Sequence, residues 1–393
     1  MSRRYDVAVV GGRIAGSVLA MRLARAGARV AMVERDELGS DTLSTHAIFP
    51  NTLASLDRLG VLAPLLERHD VPMLRYRLRV LGHESIGTFT PIGGFDRCAA
   101  PRRVALDRVL AEAALRAGVE ARFGERVDGL LGDGERVGGV RLASGEAIEA
   151  DWTVGADGRA STVAAKLGLA KSLPMAGDMA MLLAYWRGLP ATDALSLDVA
   201  EREALSRFPA EDGVELLVVS GKPELTRGGA RARERAYMGG LRKFPTTLDP
   251  EALAAAERIT EVRSAPETML RGFFRPASGP GWALIGDSGH FKHPATAQGI
   301  SDAIEQAIHV ADALAAAGTL NGYGPWRDRR AAGHYEFSYR FGTFPTSEIS
   351  GPIFAGIASE PETAQDLRNA MSRQVDPARV FSNENLARWF EVA

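Results

Sequence analysis

One short stretch near the start of the chain constrains the fold more than any other: an apolar run that enters a glycine turn and leaves it as a helix. Residues 6–10 are wholly apolar after Asp6, as a buried parallel strand requires. Gly11-Gly12-Arg13-Ile14-Ala15-Gly16 follows. Helical spacing then brings Leu19, Arg22, Leu23 and Ala26 onto neighbouring turns, and Gly27 supplies a stop. Residues 29–34 read as a second strand. Two strands joined by a helix in so few residues make a right-handed parallel unit. Its turn feeds a helix N-terminus, where outward N–H groups and the helix dipole favour a diphosphate. Gly11 permits the tight turn, and Gly16 beside Ala15 allows close helix–strand packing. Glu34 ends the second strand, placed to accept a ribose hydroxyl. The pattern predicts a dinucleotide site. Arg13 stands where G-x-G-x-x-G has its second glycine, so its guanidinium either turns towards a phosphate or weakens the seat.

Two later turns have a related build. An apolar run at 151–155 ends in Gly155-Ala156-Asp157-Gly158-Arg159-Ala160-Ser161. A buried strand at 282–285 ends in Gly286-Asp287-Ser288-Gly289-His290, followed by Pro294, Gln298-Gly299 and a long alanine-rich helix. A carboxylate at a strand end, just before another helix N-terminus, can hold a polyol while free N–H groups meet an anionic atom. Between these motifs, 51–66 is broadly helical, 74–81 alternates as a half-buried strand, and 103–118 is an amphipathic helix. Three short strand candidates follow, with turn signals at 132–134 and 144–145. Residues 173–275 change character: apolar strands at 179–186 and 214–220 alternate with Arg- and Gly-rich loops, and helices follow at 230–243 and 250–258.

Composition excludes more than it selects. A formal net charge of -2 gives no global field towards nucleic acid or an anionic membrane. Only five of the 47 basic residues are lysines, a bias that a GC-rich genome explains. The single cysteine, Cys98, rules out an internal disulfide framework and cysteine-cluster metal sites, and fits a reducing cytoplasm. No histidine–carboxylate spacing points to a metal. Ser2-Arg3-Arg4 leads straight into the first strand, too short an apolar region for a signal peptide. No stretch approaches the ~20 apolar residues of a membrane span. A soluble, cytoplasmic protein is expected.

Taken together, the three motifs in this order resemble the FAD-dependent aromatic hydroxylases, the class A flavoprotein monooxygenases, over residues 1–330. The segments Asp41-Thr42-Leu43-Ser44-Thr45-His46, Arg103 with Leu106-Asp107, and Gly281-Trp282-Ala283-Leu284-Ile285 are similar to a branch met in natural-product pathways. The resemblance implies an α/β FAD-binding domain with a parallel sheet and β-meander, made from 1–72, 99–172 and 276–330. It is interleaved with a smaller α+β substrate domain from 73–98 and 173–275, and 331–393 forms a C-terminal helical cap. Carried over, Glu34, with Arg35 beside it, meets the adenosine ribose; Arg103 reaches FAD; and Val127 meets adenine through its backbone. Asp157 supports the nucleotide region, Gly286 and Asp287 hold the ribityl and diphosphate, and Pro294 to Ile300 run along the isoalloxazine. The Gly299 and Ile300 amides then face its N1/O2 edge. Ala164 departs from the family, whose central motif ends in Arg, and this leaves open how nicotinamide is received.

The implied reaction begins with reduction of FAD by NADH or NADPH. Oxygen then adds at flavin C4a, and the hydroperoxide hydroxylates or epoxidises an apolar or aromatic small molecule. Candidate active-site histidines are His46, in the loop after the second strand, and His293, directly before Pro294; His290 reads as structural. Tyr185, Trp186 and Phe273 are candidates for lining a planar substrate's pocket. Alternatives on the same scaffold are an isoprenoid-type reductase or a halogenase-related enzyme, although Tyr185-Trp186-Arg187-Gly188-Leu189-Pro190 does not supply the halogenase signature W-x-W-x-I-P. A non-catalytic escort protein is the remote alternative.

Overall fold

A computed structural model describes residues 4–391, so Ser2 and Arg3 of the N-terminal reading lie outside the described residues. The expected parallel unit is present: strand Tyr5–Val10, helix Ile14–Arg25 and strand Val30–Glu34, with Val9 in register with Met32. The first sheet runs Ser278–Gly279, Trp282–Leu284, Ala147–Gly155, Tyr5–Val10, Val30–Glu34, Glu120–Phe123. Helices Ile14–Arg25, Arg103–Arg116 and Gly299–Ala317 cover one face, where Val18, Leu19, Leu110 and Ile304 join one apolar core. A meander of Val127–Gly132 and Val137–Leu142 contributes to the core on the other face.

The third short strand candidate and the apolar run at 151–155 are one nine-residue strand, Ala147–Gly155. Its first half pairs antiparallel with the meander and its second half parallel with Tyr5–Val10. The alternating, half-exposed half and the fully buried half looked like two elements because their surroundings differ. Likewise, 51–66 is two helices, Pro50–Arg58 and Leu62–Arg68, parted at Gly60, whose φ of +71° ends the first.

The second sheet is antiparallel except where Ala194–Val199 pairs parallel with Arg75–Val80. Strand Ala180–Arg187 faces two ways. Met181, Leu183 and Tyr185 point towards the C-terminal helices and the first unit, while Leu182, Ala184 and Trp186 pack under helix Ala230–Leu241. A small third sheet of Ser172–Met175, Gly272–Phe274 and His290–Phe291 ties the two units together. Helix Tyr323–Phe341 runs unbroken through residue 330, where a separate cap was expected to begin. Phe337, Leu367, Met371 and Trp389 of the C-terminal helices complete the core beneath the second sheet. Among the described residues no helix is long and apolar enough to cross a membrane.

Candidate FAD site and active site

The three motif turns converge on one cleft of about 810 Å³ between the first sheet and the third. Gly11, Arg13 and Ala15 form one end with Glu34 and Arg35, and Val127 and Arg126 flank them. Arg103 and Asp157 lie along the wall. Gly286, Asp287, Pro294, Gly299 and Ile300 make the far side. Gly16 lies behind the wall, where a Cβ would sit 1.8 Å from the Gly11 carbonyl oxygen. A Cβ on Gly11, at φ +103°, would meet the Ala156 carbonyl oxygen at 2.4 Å. Bare backbone therefore forms the floor.

The carboxylates differ in what they hold. Glu34 accepts from the Gly12 amide at 2.7 Å and the Asp36 amide at 3.0 Å, which aims it at the turn. Asp157 gives one oxygen to the amides of Thr162 and Val163, starting the short helix Thr162–Lys166; its other oxygen, Oδ1, is buried with no partner among the described residues. Burial raises the Asp157 carboxyl above its usual range against the pull of those hydrogen bonds. Asp287 makes no hydrogen bond or ion pair with a described residue. Deep placement pushes it to about 6, although Arg159 and Arg103 draw it down. A carboxylate sunk in the wall and free to accept is suited to a polyol's hydroxyls.

Arg13 does not stand free. Its guanidinium is 3.0 Å from Asp36 and 3.1 Å from Asp107, and Asp107 also takes Arg103 at 3.0 Å. The bulk that replaces the motif's second glycine is drawn sideways into a charge network at the cleft wall. Sequence reading missed Asp36 and the bridging role of Asp107, since nothing local joins residues 23 and 94 positions away.

His46 lines the cleft with a backbone φ of +42°, left-handed and strained for a non-glycine residue. Its ring stacks on Tyr185 at 5.8 Å, and neither ring nitrogen has a hydrogen-bond partner among the described residues. Burial, helped by Arg103 and Arg102, lowers it to about 3, so the imidazole is neutral. Tyr185 thus stands behind His46 rather than on the cleft. Trp186 lies on the opposite face of its strand, donating to the Tyr237 hydroxyl at 2.8 Å, because consecutive strand residues point to opposite faces. Phe273 does line the cleft. His293 does not: it caps the turn Pro294–Thr296 through the Ala295 amide and packs against Gly342, where a Cβ would collide with its ring. His290 is buried against Gln306 and Asp302, away from the cleft.

Burial also lowers His293 to about 4 and His334 to about 3. Folded-state values below the ordinary ~6.5 mean that the unfolded chain takes up protons first as pH falls. Stability from these neutral imidazoles is therefore complete above about pH 6.5 and lost progressively down to the folded-state values, about 4 for His293 and about 3 for His334. Thermal melting across pH should show this fall, made shallower by His293→Gln. A melting temperature that is level down to pH ~4 would contradict the buried neutral state.

FAD fits these residues: a bare-backbone floor, a free Asp287 carboxylate, and the first turn of helix Gly299–Ala317, whose Gly299 and Ile300 line the cleft. Fold and site define an FAD-dependent oxidoreductase. The profile of the family described as "FAD binding domain" matches residues 4–237, more than half of the chain. The chain is 32% identical over 321 residues to a 6-methylpretetramide 4-monooxygenase of Streptomyces rimosus, covering 77% of this chain and 73% of that one. It is 26% identical over 307 residues to a probable electron transfer flavoprotein-quinone oxidoreductase, YgcN, of Escherichia coli, covering 72% and 69%. Among solved structures, OxyS anhydrotetracycline hydroxylase from Streptomyces rimosus superposes with a TM-score of 0.74 at 22% identity over 94% of this chain and 76% of that one. The flavin-dependent brominase Bmp2 does so at 0.78 and 17%, over 99% and 98%. The chain belongs to the FAD-binding-domain family, among the class A flavoprotein monooxygenases.

Proposed function

We propose that the chain uses NAD(P)H and O2 to hydroxylate or epoxidise an apolar or aromatic small molecule of secondary metabolism, in the cytoplasm. The observation that carries this reading is an apolar second chamber of about 50 Å³ that shares Thr45, Ala47, Met181, Pro294 and Ala297 with the cleft and would have to widen to take a substrate ring. Tyr76, Leu78, Leu195, Phe208 and Val218 line it, and its polar side chains are hydroxyls such as those of Ser206 and Ser220. No charged side chain lines it, so an uncharged, largely flat substrate portion would be held by contact area and one or two hydroxyls. The relative named as a 6-methylpretetramide 4-monooxygenase supports a small-molecule substrate of secondary metabolism.

Glu34 would hold the adenosine ribose, Val127 the adenine through its backbone, and Arg103 and Asp287 the diphosphate and ribityl. The Gly299 and Ile300 amides would face the flavin's N1/O2 edge, where a helix N-terminus stabilises negative charge without reorganisation. FAD, when bound, supplies hydride acceptance and oxygen activation. The chain's own work is to orient the substrate and exclude water. His46, a neutral imidazole beside the shared residues Thr45 and Ala47, would position the substrate or pass a proton. Residues 73–98 and 173–275 would form the substrate-binding unit, and 331–393 would close it from below.

For the reductant, the cleft mouth has a feature of its own. Arg159, Lys171, Arg271 and Phe273 line it, and Lys171 and Arg275 sit over the Phe273 ring at 4.3 and 4.6 Å. None of these four cations has a carboxylate within 4 Å among the described residues. Such a cluster suits the phosphates of a transient nicotinamide dinucleotide. It compensates for Ala164, which is buried in the apolar core and offers no charge.

The test is dioxygen labelling: with the physiological substrate, one labelled oxygen atom should enter the product. Conversion under strict anaerobiosis, with hydrogen gained or lost and no oxygen incorporated, would replace this reading. A dehydrogenase or reductase would take its place, the second reading, which the likeness to the quinone oxidoreductase favours.

A further inference from the structure

Lys292 is one of five lysines, and it lies inside the third motif segment with its side chain 2% exposed, in the wall of the cleft. Its Nζ is 2.7 Å from Asp302 Oδ2, yet it has no aligned hydrogen-bond acceptor. Asp302 is a shared partner. Arg373 reaches its other oxygen at 2.6 Å, and the two side chains are 1% and 7% exposed. Arg373 also pairs with Glu305 at 2.9 Å, which in turn takes Arg330 at 3.0 Å. His290 Nε2 is 3.5 Å from Asp302, and His334 adjoins the same group of charges. Burial holds both histidines below their ordinary value.

A purely structural ion pair would align its hydrogen bonds. Here the ammonium, enclosed within the wall of the cleft, has unfilled donors among the described residues, and its one carboxylate is already paired with an arginine. Burial pushes it down to about 8, with Asp302 opposing and Arg373 adding to the fall. Charge in that position costs free energy in the empty site and is favoured when negative charge enters the cleft.

We infer that Lys292 is an electrostatic residue of the redox site, a buried cation that stabilises the reduced, anionic form of bound FAD. Oxidised FAD takes a hydride, two electrons and one proton together, and becomes one unit more negative. A cation in the wall favours that product over the oxidised form. Asp302, shared with Arg373, holds Lys292 in place while leaving its charge only partly compensated. The inference rests on FAD binding alone and is independent of what happens to oxygen.

The test is the midpoint potential of FAD bound to the holoenzyme, measured by dye-coupled reduction. Lys292→Met should lower the affinity for reduced relative to oxidised FAD by about tenfold or more, a fall of about 30 mV or more for a two-electron couple. Lys292→Arg should restore most of it, and Asp302→Asn should move the potential upwards. Should methionine prevent folding, Lys292→Gln keeps a polar end group without the charge and carries the same expectation. An unchanged potential in the neutral variant that holds FAD would overturn the inference. So would a fall in Lys292→Arg equal to that in Lys292→Met, which would mark a packing role. The labelled-oxygen experiment can succeed or fail separately, so the two readings are distinguishable.

Discussion

Asp287→Ala should emerge from purification largely without flavin. Its FAD dissociation constant should rise by roughly 10- to 100-fold, the loss of one hydrogen bond to a charged acceptor at about 1.5–3 kcal/mol. The carboxylate lines the cleft, is pushed to about 6 by burial, and receives no donor from a described residue. An unfilled acceptor of this kind is a liability in the apoprotein. The alanine variant without FAD should therefore be at least as stable as the parent, the pattern expected where function has been favoured over stability. His293→Ala should retain flavin, since His293 lies behind the wall. Flavin absorbance per protein and FAD titration of the apoproteins measure all three. Equal FAD affinity in the parent and Asp287→Ala would remove Asp287 from the cofactor site.

Gly16→Ala should be more damaging than its one methyl group suggests. The added carbon would lie 1.8 Å from the Gly11 carbonyl oxygen, which is backbone and cannot rotate away. Relief requires the helix to move off the sheet or the turn to open, and either disrupts the diphosphate seat. The cost should be at least about 3 kcal/mol, at or above the usual range for overpacking a core. FAD binding should be lost with it. Gly229→Ala is the control, because a Cβ there meets nothing within 4 Å and the residue has no positive φ. Denaturant midpoints of the three proteins check the expectation, and a Gly16→Ala midpoint matching the control would refute the close contact.

Much of the candidate cofactor site was legible because its elements are built from local rules. A glycine turn between an apolar strand and a helix needs only neighbouring residues to be recognised, and Tyr5–Val10, Ile14–Arg25, Val30–Glu34 and Gly299–Ala317 lie where spacing placed them. Arg13 was visible as a departure, but its outcome was not. Whether it met a phosphate or a carboxylate depended on Asp107, 94 residues away.

By itself the sequence determined the parallel unit, the three motif turns and the carboxylates they carry, since backbone geometry and hydrophobic period are short-range properties. Only the tertiary structure decided which side of each element the cavity occupies. It put Tyr185 behind His46 and Trp186 under another helix, moved His293 out of the cleft, and brought Arg373 to Asp302 across 71 residues to set Lys292 in the wall. Period tells which residues share a face; what covers that face is set by packing between distant segments. A charge buried by such packing owes its partners to long-range contacts that no local pattern encodes.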